Sequence, residues 1–223
     1  MYQQLLIDGD DTLWECHQYF EKAIEAFIAF LNHARLTPQE VRDTLNEIEA
    51  TQGYGSACFT QSLQETYRRL AERVRDEGVQ WITALGEQVR DHPIQVISGV
   101  RGTLEYLTLR HELILLTKGD HQEQIHKIER SGLRAFFQQV IIVEEKNLQT
   151  YIKLIKTLSL DPERTWMIGN SPRSDINPAR QADLNAVYIP RDSLWSRERQ
   201  ELSHGGIGRL LILNTFTELC DHF

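Results

Sequence analysis

The chain has 223 residues, 41% of them hydrophobic and 25% charged, an ordinary globular composition that excludes a disordered or fibrous protein. Lys and Arg number 24 against 32 Asp and Glu, a net charge of -8, which excludes a broad cationic face for nucleic acid or an anionic membrane. The length allows one broad domain, or a core of roughly 150 residues with a smaller partner.

Three distant cysteines, Cys16, Cys58 and Cys220, make neither a metal-ligand spacing nor a disulfide framework, and read as thiols of a reducing compartment. No window reaches the roughly 18 apolar residues of a membrane span, and the first residues lack the basic start and apolar stretch of a signal peptide. The expectation is a cytoplasmic protein with no membrane or nucleic-acid partner. The sequence does not fix its oligomeric state.

In chain order, residues 5–7 are a short apolar run that predicts a strand, ending in the acidic cluster Asp8-Gly9-Asp10-Asp11-Thr12. From residue 15 to about residue 90 the pattern is helical. Phe20, Ile24, Phe27, Ile28 and Leu31 share one helix face. Thr37-Pro38-Gln39-Glu40 reads as a capping box with proline at the first helical position, followed by a stripe of Val41, Leu45 and Ile48. Residues 52–56 break the pattern. Leu63, Tyr67, Leu70 and Val74 then mark a third helix, and Trp81, Ile82, Leu85 and Val89 a fourth.

Beyond Pro93 strands and helices alternate. A helix after Gly102 carries Leu104, Leu107 and Leu109. Strands are predicted at residues 113–116, 140–143, 166–168, 186–189 and 210–213. Helices are predicted over 122–130, 148–158 and 176–182, with a last helix at the C-terminus. Residues 191–208 are polar and carry no readable element. Short unbroken apolar strands separated by helices indicate an α/β class: a Rossmann-like, three-layer parallel sheet covered on both faces. The expected organisation is a discontinuous core of residues 1–14 and 94–223 with an all-helical cap over 15–93. An insertion directly after the first strand opens at the carboxyl edge of the sheet, where open α/β sheets bind ligands, and is placed to act as a lid. No Gly-x-Gly-x-x-Gly follows the first strand, which disfavours a dinucleotide site.

The chemistry concentrates at strand ends. Asp8 and Asp10, two apart at the end of the first strand, can converge on one cation or one reacting group; alone, the cluster reads equally well as a helix cap. A calcium loop fails, because the twelfth position from Asp8 is Tyr19 where a bidentate glutamate is needed. Thr117 ends the strand at 113–116, Lys146 follows the strand at 140–143, and Gly169-Asn170-Ser171-Pro172-Arg173-Ser174-Asp175 follows the strand at 166–168. Singly each is a turn, surface or capping residue; together they bring hydroxyl, ammonium and carboxylate to one sheet edge.

Asp8-x-Asp10-x-Thr12, Thr117, Lys146 and the loop from Gly169 to Asp175 resemble the four motifs of the haloacid dehalogenase superfamily of phosphohydrolases, and the helical block resembles its helical cap. The resemblance implies a phosphatase of a small phosphorylated metabolite. Asp8 is then the nucleophile that forms an aspartyl phosphate, and Asp10 the general acid and base. Thr117 and Lys146 hold the phosphoryl oxygens. Mg²⁺ is the implied cofactor, taken by Asp8, the backbone carbonyl of Asp10, Asn170 and Asp175.

Three positions depart from the usual pattern. Asn170 stands where an acid is common, which predicts weaker Mg²⁺ binding. Asp11 replaces a common glycine. Lys118 replaces a common asparagine, and is either an added cation for the substrate or, in the slightly favoured reading, exposed. Lys153 and Lys156 are the poorer candidates for the third motif, being further into their helix. The cap loop with Tyr54 and Phe59 is the expected substrate-selecting element, and Arg68 and Arg69 are either substrate contacts or a solvated helix face. The rival readings are a phosphomutase, a dehalogenase (disfavoured by Asp10) and a non-catalytic ligand-binding member of the family.

Overall fold

The apolar run near the N-terminus becomes strand β1 (Gln4–Ile7), the interior of a six-stranded sheet. The other strands are β2 (Glu112–Lys118), β3 (Gln139–Val143), β4 (Thr165–Gly169), β5 (Asn185–Tyr188) and β6 (Leu210–Ile212). Their order is β3-β2-β1-β4-β5-β6, and every pairing is parallel. The computed structural model describes residues 2–192, 194–203 and 205–223. The chain divides into two units, Met1–His17 with Ile94–Phe223, and Gln18–Pro93.

The strands are apolar throughout because both faces of the sheet are buried. Alternation then divides each strand between two cores. Leu5, Ile7, Leu113, Leu115 and Ile168 pack with Leu104 and Phe216 on one face. Leu6, Ile114, Leu116 and Met167 pack with Tyr151 and Leu154 on the other. Ile7 pairs with Leu115 on one side and Ile168 on the other, so whatever follows β1 lies between the ends of β2 and β4.

In the helical unit, α1 (His17–Leu31, whose first residue belongs to the sheet unit), α2 (Pro38–Glu49), α3 (Ser56–Leu70) and α4 (Asp76–Arg90) bury one apolar stripe each, centred on Phe27, Leu45, Leu63 and Ile82. The capping box at the start of α2 is formed in full, Thr37 and Glu40 each accepting the other's backbone N–H. Val74 falls outside α3. The chain turns extended at Ala71, and Val74 is exposed.

The remaining helices are α5 (Val100–Thr108), α6 (His121–Ser131), α7 (Leu148–Leu158) and α8 (Asn177–Gln181). Helix α5 begins before Gly102, because Gly99 in the left-handed region turns the chain there; Leu109 lies past its end and is 81% exposed. The C-terminal segment Phe216–Asp221 is a 3-10 helix held by buried Phe216 and Leu219. The helical unit starts after residue 17 rather than at 15. Glu15 N donates to the Gln95 carbonyl at 2.9 Å, and Asp11 accepts from Cys16 N and His17 N, tying residues 15–17 to the sheet unit.

Helices α3 and α4 approach closely at Gly86, where an added Cβ would lie 1.8 Å from Thr60 Oγ1. Thr60 is itself tied to the Ser56 carbonyl at 2.7 Å. Gly86→Ala is therefore expected to destabilise by about 1–3 kcal/mol through overpacking, despite alanine's better helix propensity. Thermal unfolding checks it, and Thr60→Ala in the same chain should recover part of the loss.

Candidate active site

The Asp8 backbone N–H donates to the Ile168 carbonyl at 2.9 Å, continuing the β1–β4 pairing by one residue. This fixes the Asp8 carboxylate at the carboxyl edge of the sheet, where it is buried. Lys146 lies just before α7, whose cap is Asn147. The buried ammonium reaches Asp8 Oδ1 at 2.5 Å and Asp175 Oδ1 at 2.8 Å. Thr12 Oγ1 lies 2.9 Å from Asp8 Oδ2 and 3.3 Å from Asn170 Oδ1. Asp175 sits in a π-helical turn, Pro172–Ile176, and its Oδ2 accepts the Ser171 N–H at 3.0 Å. Gly169 makes this possible: a Cβ there would stand 2.2 Å from Asp175 Oδ2.

Burial and the nearby Asp175 carboxylate push the Asp8 carboxyl up to about 7, against the opposing pull of Lys146. Burial disfavours the Lys146 charge as well, but Asp175 and Asp8 outweigh it and hold the ammonium above the usual lysine range. Lys153 and Lys156, the alternatives on α7, are exposed.

Asp10 faces a different set. Its carboxylate accepts from Trp14 Nε1 at 2.7 Å, Gln124 Nε2 at 2.9 Å and Lys127 Nζ at 3.0 Å. Burial alone would raise its carboxyl; Lys127 and these hydrogen bonds outweigh it and bring it down to about 2. Gln124 also accepts from the Thr117 hydroxyl at 3.2 Å, so one amide links Asp10 to Thr117. Gln124 and Lys127 are absent from the sequence expectations. Gln124, Lys127 and Ser131 share the buried face of α6 with Ile128, a burial that the sequence alone does not signal.

Lys118 is not exposed, which corrects the favoured expectation for it. Its side chain is 15% exposed, and its ammonium bonds to Ser174 Oγ and Glu198 Oε1 at 2.7 Å each, with Glu145 at 3.4 Å. Glu198 belongs to the polar stretch that gave no readable element. Burial opposes its charge, yet Lys118 and the Ser171 and Ser174 hydroxyls hold its carboxyl below the usual range. Phe59 is a second correction. It lies in the first turn of α3, not in a loop, and its ring is buried edge-on to Phe20 at 5.0 Å. Tyr54 precedes α3 and is partly exposed. Arg68 and Arg69 are exposed and pair with Glu65.

The donors linked to Asp8 are all oxygen: the Asp175 carboxylate, joined to it through Lys146, and the Asn170 amide, joined to it through Thr12. Two carboxylates face one ammonium here, and the Asp8 carboxyl is raised first by burial and then by the Asp175 charge. A hard divalent cation such as Mg²⁺ fits this chemistry. Among the described residues no group of three or more His, Cys, Asp or Glu side chains could hold a metal, so any such ion depends on the neutral Asn170 oxygen or the backbone as well.

The model of the haloacid dehalogenase-like hydrolases matches residues 2–183, and the chain belongs to this family. A haloacid dehalogenase-like hydrolase from Xanthomonas campestris is 30% identical and superposes with a TM-score of 0.84, over 99% of this chain and 94% of its own. The hydrolase YfnB of Bacillus subtilis, solved bound to magnesium, shares the fold at a TM-score of 0.70 and 17% identity, over 99% and 98% of the two chains. Glyceraldehyde 3-phosphate phosphatase of Methanothermobacter thermautotrophicus is 24% identical over 219 residues, 93% of each chain. Among the described residues no helix is long and apolar enough to cross a membrane.

Removing the Lys127 charge leaves burial as the dominant influence on Asp10. In Lys127→Met the Asp10 carboxyl is expected to titrate upward from about 2, to at least the ordinary aspartate value of about 3.9. Carboxyl carbon NMR checks the midpoint; an unchanged value would mean that Lys127 is not what holds Asp10 charged.

Proposed function

We propose that the chain is a Mg²⁺-dependent phosphatase that hydrolyses a small phosphorylated metabolite through an aspartyl phosphate on Asp8. The observation that carries this reading is the buried Asp8 carboxylate held against Lys146 beside the Asp175 and Asn170 oxygens. That is a nucleophile at the carboxyl edge of the sheet with a fixed cation and an oxygen donor set. The archaeal relative named a glyceraldehyde 3-phosphate phosphatase supports a phosphomonoester as substrate.

In the first half-reaction an Asp8 oxygen attacks phosphorus, the bond from phosphorus to the leaving oxygen breaks, and Asp10 gives that oxygen its proton. In the second, Asp10 takes a proton from water as water attacks the aspartyl phosphate, releasing inorganic phosphate and restoring Asp8. Lys146 offsets charge on the phosphoryl oxygens. Thr117 offers its hydroxyl to them once that proton leaves Gln124. In the resting arrangement Asp10 is a carboxylate, the form suited to the second half-reaction; donation in the first requires protonation and exchange of its Lys127 contact for the leaving oxygen. Asp8, Asn170, Asp175 and the Asp10 carbonyl would hold Mg²⁺, which would supply fixed positive charge for phosphoryl transfer. Tyr54 stands as a candidate substrate contact in this reading; Lys118 and Phe59 do not.

Hydrolysis of p-nitrophenyl phosphate and of a panel of phosphorylated metabolites with Mg²⁺ tests the reading. Asp8→Asn is expected to lose roughly 10⁴-fold or more in rate, and Asp10→Asn about 10²–10⁴-fold. Equal rates in wild type and Asp8→Asn would overturn it, and an isomerised sugar phosphate without free phosphate would point to a mutase. Asn170→Asp is expected to tighten Mg²⁺ binding on the order of tenfold, about 1.4 kcal/mol. Equal or weaker binding by calorimetry would remove Asn170 from the direct ligands.

A further inference from the structure

Resting on the phosphatase reading and going beyond it, we infer that Glu198 is a positioning residue that sets the shape of the proposed metal-binding loop, residues 169–175. Glu198 arrives from a short 3-10 turn, Ser196–Glu198, outside all four motifs, and is 7% exposed. One carboxylate oxygen accepts from Ser171 Oγ at 2.6 Å and Ser174 Oγ at 2.5 Å. The other accepts from Lys118 Nζ at 2.7 Å, and the same ammonium donates to Ser174 Oγ at 2.7 Å. Ser174 N–H closes the loop onto Ser171 Oγ at 3.0 Å.

The placement of these partners gives the network its meaning. Ser171 follows Asn170, Ser174 precedes Asp175, and Lys118 follows Thr117. Glu145, which pairs with Lys118 at 3.4 Å, precedes Lys146. Each of these four partners of the Glu198 network is one residue away from a residue proposed to meet metal or phosphate, and none is itself such a residue. The network therefore forms a second ring of charge and hydroxyls that ties the ends of β2, β3 and β4 together behind the site. A buried charge is tolerated only when paired and hydrogen-bonded, and bonds to a charged group are the stronger ones. Glu198 meets both conditions only while the loop keeps this geometry. Groups that orient metal ligands from behind typically govern affinity by about 10–100-fold.

The test is calorimetric titration of the full-length protein with Mg²⁺ alone, alongside thermal unfolding. Glu198→Gln keeps the side-chain shape and removes the charge; it is expected to bind Mg²⁺ about 10–100-fold more weakly while remaining folded. Because that variant leaves Lys118 without its carboxylate, Lys118→Met/Glu198→Gln provides a neutral pair, and it too is expected to bind weakly. Mg²⁺ affinity within about twofold of wild type in the folded double variant, even with a lowered melting temperature, would overturn the inference and leave Glu198 a packing residue. In that case phosphatase activity in wild type and its loss in Asp8→Asn would leave the functional reading standing. Failure of the wild type to bind Mg²⁺ would overturn both.

Discussion

One buried ammonium shared by two carboxylates organises the sheet unit's working edge. Lys146 touches Asp8, which ends β1, and Asp175, which stands in the turn after β4. Three separate chain segments are therefore held at one point by charge. Burying either charge there without its partner would carry a large desolvation cost. The cost of this arrangement is visible in Asp8, whose carboxyl stays raised although a lysine touches it. The sheet tolerates such a charged knot because it lies at the strand ends, above the two apolar cores rather than within them.

Around that knot the structure separates the two aspartates that stand two residues apart. Asp8 faces an ammonium it must share with a second carboxylate. Asp10 has Lys127 together with hydrogen bonds from Gln124 and Trp14. The result is two neighbouring carboxyls pushed in opposite directions, one up and one down. Paired carboxyls with divergent proton affinities are the usual setting for one group to attack while another moves protons.

What the sequence disclosed, and what it withheld, follows the range of the interactions. Strands and the α2 capping box are local: unbroken apolar runs and a four-residue cap need no distant partner. The order of Asp8, Thr117, Lys146 and Asp175 was legible because each stands at or shortly after the end of a strand of a parallel sheet, and such strand ends collect at one edge. Gln124, Lys127 and Glu198 were not, because their partners lie far off: Lys127 is 117 residues from Asp10 and Glu198 is 80 from Lys118. A polar residue in a helix or a polar stretch reads as solvated until its partner is known. Phe59 was misplaced for a related reason. Gly53 and Gly55 announce a loop, but α3 starts one residue after Gly55.

The neck of the insertion carries a consequence of its own. Leu13 and Ile97 share a backbone hydrogen bond, as do Glu15 and Gln95, and Trp14 and Val96 form an antiparallel bridge. The chain thus departs and returns through two short extended segments joined side by side, all within the sheet unit. A segment whose two ends are already neighbours imposes no stretch on the scaffold that bears it, whatever its length or content. Such a socket lets the inserted module lengthen, change its helices or be exchanged for another across generations while the strands of the sheet unit keep their register.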